Sequence, residues 1–171
     1  MKLMTPVTLL LVTLMLASCG NTSRLTREQK NEIKRNKLAS ITELVESGSY
    51  TFNATAATPI GDKNIQLTPR YYSVEIQEDR INGNLPYYGQ SHASSYESEG
   101  GIQFDGEPDE YEVEINEKRF NVKVSFVVSE AAERISGRLF ISHDGYANLS
   151  VESSRRSAIS YKGYVSERIE E

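Results

Sequence analysis

The chain of 171 residues has one cysteine, two histidines and no tryptophan, and each scarcity removes a class of reading. A lone cysteine excludes a disulfide framework and any metal site built on a cysteine pair. With His92 and His143 as the whole histidine content there is no H-E-x-x-H motif. There is no G-x-S-x-G elbow and no phosphate-binding glycine loop. The one long apolar run, Leu3 to Leu16, is too short and too quickly ended to suit a membrane-spanning helix. A net charge of −5 argues against nucleic acid as a partner.

What is present begins at the N-terminus. Lys2 gives a charged start, Leu3 to Leu16 an apolar stretch, and Ala17-Ser18 the small residues that a signal peptidase needs, directly before Cys19. The pattern predicts a lipoprotein signal peptide over residues 1–18, cleavage before Cys19, and acylation of the Cys19 thiol and of the new amine. Several acyl chains hold a protein on a bilayer, whereas one myristoyl chain binds only marginally, at about 10⁴ M⁻¹. Residues 19–25 are then a lipidated tether and 26–171 a single β-rich domain with an N-terminal helix. Gly20 rather than aspartate after Cys19 fits outer-membrane sorting by analogy with other bacteria, so the expected location is the outer membrane, facing the periplasm. Residues 24–37 are locally basic in an otherwise acidic chain. They suit either a solvated helix face or attraction to anionic headgroups beside the anchor.

Thr26 and Gln29 have capping-box spacing and Gly48 is a natural stop, so a helix is expected between them. Its apolar positions, Ile33, Leu38, Ile41, Leu44 and Val45, place a buried stripe from Ile33 onward. Beyond Gly48 the period changes to two. Tyr72-Val74-Ile76, Tyr111-Val113-Ile115 and Phe120 to Val128 each alternate with polar residues, the pattern of antiparallel strands with one wet face.

Registers follow from the rule that inward residues pair with inward residues. A turn at Glu78-Asp79 sets Ile76 opposite Ile81. A turn at Glu117-Lys118 sets Ile115 opposite Phe120, Val113 opposite Val122, and Glu112 against Lys123 on the wet face. A three-residue loop, His143-Asp144-Gly145 with Gly145 left-handed, sets Ile141 opposite Ala147 and Leu139 opposite Leu149. A five-residue loop from Ser153 to Ser157 brings Val151 to Ile159 and Leu149 to Tyr161. The expected fold is α+β and mostly β: an N-terminal helix packed on a curved antiparallel meander from Tyr111 to Val165, either a sandwich or an incomplete barrel. Shorter strands near Tyr50 to Ala54 and Ile102 to Phe104 precede the meander.

The stretch from Pro86 to Gly101 has no periodicity and is rich in tyrosine, serine and glycine; loops of that length are usually functional or mobile. It opens on Leu85-Pro86-Tyr87-Tyr88-Gly89. With Ser49-Tyr50-Thr51-Phe52 and Leu67-Thr68 upstream, and Gly100-Gly101-Ile102-Gln103-Phe104 and Ser157 to Gly163 downstream, the chain resembles a family of Bacteroidetes lipoproteins of unknown function with an L-P-Y-[FY]-G motif. The resemblance implies an envelope lipoprotein and supplies no activity and no catalytic residues.

His92 lies beside Ser91 in that loop, a neighbour pair that seldom gives nucleophile geometry, and no orienting acid is identifiable. His143 reads as a turn residue. Asp105, Glu107, Asp109 and Glu110 crowd one segment in the manner of calcium ligands, but their spacing matches no EF-hand and Gly106 and Pro108 make it a plain turn. No cofactor, no metal and no enzyme activity are expected. Of the ten tyrosines, Tyr87, Tyr88 and Tyr96 lie in the long loop behind Pro86, either as a recognition surface or as a cluster folded back over the end of the sheet. The functional expectation is a non-enzymatic binding or scaffold module for an envelope protein. The alternative is a carrier whose curved sheet encloses a small apolar ligand, with Gly83, Gly137, Ala147 and Gly163 leaving space at inward positions.

Overall fold

The computed structural model describes residues 25–68, 71–88, 101–130 and 133–168. By compactness the chain divides between Lys30 and Asn31; in the first unit, residues 25–30 carry the start of the helix. There the Gln29 amide donates to the Thr26 hydroxyl at 3.2 Å and the Thr26 amide donates to the Gln29 side chain at 2.9 Å, a reciprocal cap. Helix α1 spans Arg27–Glu46. It ends where the Gly48 amide bonds the Val45 carbonyl with Gly48 at a φ of 66°, which glycine adopts at no steric cost.

Among its described residues the second unit, Asn31–Glu171, holds ten strands: β1 Ser49–Pro59, β2 Ile65–Gln66, β3 Ser73–Gln77, β4 Arg80–Leu85, β5 Ile102–Gly106, β6 Glu110–Asn116, β7 Asn121–Glu130, β8 Glu133–Ser142, β9 Tyr146–Ser153 and β10 Ile159–Glu167. Nine form one antiparallel sheet in the order β5-β4-β3-β1-β10-β9-β8-β7-β6, and β2 pairs with β1 off this path. The sheet curls into a half-barrel, so the incomplete barrel is the form taken. The first strand lies in the middle, paired with β3 on one side and the last strand on the other.

Three of the four hairpins follow the expected registers: Ile76 opposite Ile81, Ile141 opposite Ala147 with Gly145 at a φ of 85°, and Val151 opposite Ile159. The fourth is corrected by two residues. Ile115 faces Val122, Val113 faces Val124 and Tyr111 faces Phe126. The turn takes four residues, with Phe120 in the left-handed region at a φ of 53° and its ring partly buried against the core. Such a backbone costs a non-glycine residue about 1–2 kcal/mol, which packing offsets here. The shift of two keeps every side chain on its expected face and moves the wet-face pair, so Lys123 meets Glu114 at 2.9 Å and not Glu112. β1 is also longer than expected, continuing past a bulge at Thr55 to Pro59.

The core gathers the inward residues of every strand except β2 and β6, with Leu38 and Val45 of α1. Ile33 is 43 % exposed, so the buried stripe starts at Leu38, one turn later than expected. Helix α1 lies over the β6–β7 and β8–β9 turns. The Lys34 ammonium is 5.6 Å from the Phe120 ring centre, and Ile41 comes within 3.7 Å of the position a Cβ would take on Gly145.

The inward glycines are occupied space. A methyl group on Gly83 would meet the Phe104 ring at 2.2 Å, one on Gly137 the Phe126 ring at 2.1 Å, and one on Gly163 the Asn53 carbonyl oxygen at 1.9 Å. A ring can shift, but backbone in mid-sheet cannot. Gly163→Ala should therefore lose more stability than Gly83→Ala, which should cost about 1–3 kcal/mol as overpacked cores do. Urea unfolding of both variants checks this order, and a smaller loss at Gly163 would contradict the packing.

Candidate functional site

At the end of the sheet opposite α1, β4 leaves at Leu85 and β5 returns at Gly101-Ile102. The feet of the long loop touch there: a Cβ on Gly101 would lie 2.2 Å from the Leu85 carbonyl oxygen. Polar groups from the other half of the chain fix both feet. The Tyr161 hydroxyl, buried on β10, donates to the Pro86 carbonyl at 2.8 Å. Arg156, in the β9–β10 loop, donates to the Gly101 carbonyl at 2.9 Å. The Arg156 guanidinium stands 5.4 Å from the Tyr87 ring centre and pairs with Glu133 at 3.5 Å, where both side chains are mostly buried. Glu133 also accepts from Ser153. A partly desolvated cation held by a carboxylate, a carbonyl and an aromatic face is a rigid clamp.

The residues singled out in the loop therefore separate. Pro86 is buried. Tyr87 is half-buried, packs against the core and donates to the Ser157 carbonyl at 3.2 Å. Tyr88 is 46 % exposed. Tyr96 and His92 lie outside the described residues, as does Cys19. The sequence reading missed Arg156 and Glu133. Arg155-Arg156, a basic pair in an acidic chain, was the one available signal.

Burial pushes the Tyr161 hydroxyl far above the ordinary phenol range; the Tyr87 phenol adds to this and Arg156 works against it. Tyr161 is therefore a hydrogen-bond donor to Pro86 at any physiological pH and not a base. At the opposite end the Tyr50 and Tyr111 hydroxyls meet across the interior at 3.0 Å, and burial and then the neighbouring phenol push Tyr50 up in the same way.

The four carboxylates considered for calcium do not converge. Arg80 clasps Asp105 at 2.6 and 2.8 Å and holds its carboxyl below the usual range. Asp109 accepts from the Ser129 hydroxyl at 2.6 Å, and Glu110 pairs with Arg134 at 3.1 Å. Among the described residues no cluster of acids, histidines or cysteines is gathered to hold a metal. His143 sits in its turn, with its ring 6.3 Å from that of Phe120.

Two outcomes follow from these positions. Tyr87→Ser should lower stability by about 2–4 kcal/mol, as truncated core aromatics do, while Tyr88→Ser should stay within about 0.5 kcal/mol; denaturant unfolding separates them, and equal losses would contradict the split. Tyr50 and Tyr161 ionise more readily unfolded than folded, so their stabilisation is complete below about pH 10, the ordinary phenol value, and is lost as pH rises beyond it. Tyr50→Phe and Tyr161→Phe together should flatten the alkaline fall in melting temperature, and an unchanged slope would contradict the burial of these hydroxyls.

Comparison with known proteins places the fold and the family. The sequence pattern of a domain of unknown function, DUF4251, matches residues 32–165. A crystal structure of a DUF4251 family protein from Bacteroides eggerthii DSM 20697, at 1.95 Å, superposes with a TM-score of 0.63 at 12 % identity, covering 80 % of this chain and 91 % of that one. At that identity the likeness speaks for the fold. No curated protein matches the sequence. With its pattern matched from the second turn of α1 into β10, this chain belongs to the DUF4251 family.

Proposed function

We propose that this protein is an envelope lipoprotein, anchored through Cys19 to the outer membrane and facing the periplasm, whose domain is a non-enzymatic binding or scaffold module. The N-terminal pattern from Lys2 to Cys19 supports the anchor. The observation that carries the binding role is the clamp on the long loop. Both feet are bonded at the backbone, Pro86 by Tyr161 and Gly101 by Arg156, and Tyr88 is presented exposed beside them. Recognition residues are commonly carried on loops that a rigid scaffold positions, and an exposed tyrosine supplies apolar area with a hydroxyl able to bond a partner. The filled interior at Gly83 and Gly137 directs binding to this surface and away from the alternative of an enclosed ligand.

Two measurements test the two halves separately. Cys19→Ala should abolish incorporation of labelled fatty acid and release the protein from membranes; wild-type labelling of the variant would overturn the anchor. A photo-crosslinking residue at Tyr88 should capture an envelope component in intact cells, while the same residue at exposed Asn148, on the outer face of β9, should not. Equal capture at both positions, or none at Tyr88, would overturn the recognition role.

A further inference from the structure

The two edges of the sheet are treated differently. On β5 the Asp105 amide donates to the Glu130 carboxylate of β7 at 3.2 Å, while Arg80 holds the Asp105 side chain. β6 is last in the strand order. β7 pairs with one side of it and no described strand pairs with the other, so alternate residues of β6 turn their N–H and C=O groups outward. Such an edge is a template for a further strand.

The inner face of β6 is also poorly covered, with Tyr111 39 % and Ile115 43 % exposed. Beside Ile115 lies a groove of about 410 Å³, walled by Leu38, Ala39 and Thr42 of α1 and by Glu43, Glu46 and Glu117. Those three carboxylates and Glu112 form no salt bridge among the described residues, whereas Glu110 and Glu114 are held by Arg134 and Lys123. Among the described residues, Arg35 is the one cation lining the groove.

We propose that β6 and this groove receive an extended segment of another protein as an added strand, with apolar side chains on the inner face against Ile115 and the groove floor of Leu38 and Ala39, basic ones on the outer face toward Glu112, and a basic end beside Ile115 that reaches the groove's rim of Glu43, Glu46 and Glu117. The chemistry follows from the pleat. Tyr111, Val113 and Ile115 line the inner face and Glu110, Glu112 and Glu114 the outer, so an added strand needs alternating apolar and basic residues. Main-chain bonds give affinity and the side chains give selection. A second copy of the chain is disfavoured, because pairing β6 with β6 sets one glutamate row against another. This surface is distinct from the loop at Pro86 and does not rest on its role.

The test uses the full-length protein in detergent with a labelled peptide alternating valine and lysine, and a twin with glutamate in place of lysine. The lysine peptide should bind and the glutamate twin should bind at least about tenfold more weakly, with the difference shrinking as salt rises. Ala39→Trp, which fills the groove, and Glu112→Lys, on the exposed outer face, should each weaken the lysine peptide about tenfold. Melting temperatures confirm folding, and Glu112→Lys alone decides if the tryptophan variant unfolds. Amides of residues 110–116 should gain protection from hydrogen exchange. Absence of binding, equal affinity for the two peptides, protection confined to other strands, or a dimer in sedimentation that Glu112→Lys abolishes would each overturn the proposal.

Discussion

Two pairs of residues hold the interior together: Gly83 opposite Phe104 on β4 and β5, and Gly137 opposite Phe126 on β8 and β7. In each, the glycine leaves the floor on which its partner's ring lies. The two rings then meet in the interior, with centres 6.1 Å apart and planes tilted by 37°. Strands near opposite ends of the order are thereby joined through their side chains, without a ladder between them. A flat sheet of nine strands would leave one apolar face open to water; pairing glycine with phenylalanine lets it curl and fill that face with its own aromatics. The Tyr50–Tyr111 bond and the Glu130 contact to Asp105 likewise join strands that are not neighbours in the order, β1 to β6 and β5 to β7.

Much of this was legible because antiparallel strands with one wet face carry their register in their alternation. Ile76 with Ile81, Ile141 with Ala147 and Val151 with Ile159 could be read from sequence because a loop one residue longer or shorter would have set apolar residues against polar ones. The β6–β7 turn escaped the same rule because two registers that differ by two residues bury the same faces. The choice between them rested on Phe120 accepting a left-handed backbone, which nothing local announces. Ile33 misled for a different reason: it has helical spacing with Ile41, yet it is 43 % exposed and Leu38 is the first buried residue of α1.

The loop clamp was half legible. The motif from Leu85 to Gly89 marked the place, and the tyrosines behind Pro86 marked the material. That Tyr87 faces inward depends on Arg156 and Ser157, about seventy residues later in the chain, and no periodicity connects positions so far apart. The central place of β1 was hidden in the same way. Its neighbours β3 and β10 both follow it, one soon after and one about a hundred residues later near the end of the chain, so only the three-dimensional closure reveals that the strand following the helix is internal.

That closure bears on how the chain reaches its native state. Asn53 bonds Ser166 across 113 residues of sequence, and Gly163 seats against the Asn53 carbonyl so closely that no side chain fits. The middle of the sheet therefore cannot be completed until the last strand is available, however early the hairpins between them form. Closing so large a loop late makes folding slow relative to local helix and hairpin formation. A polypeptide emerging from its N-terminus stays unfinished, with the β10 side of β1 unpaired, until nearly all of its length is free. Loss of the C-terminal strand would leave the centre of the sheet unpaired, where loss of β6 would remove only a border.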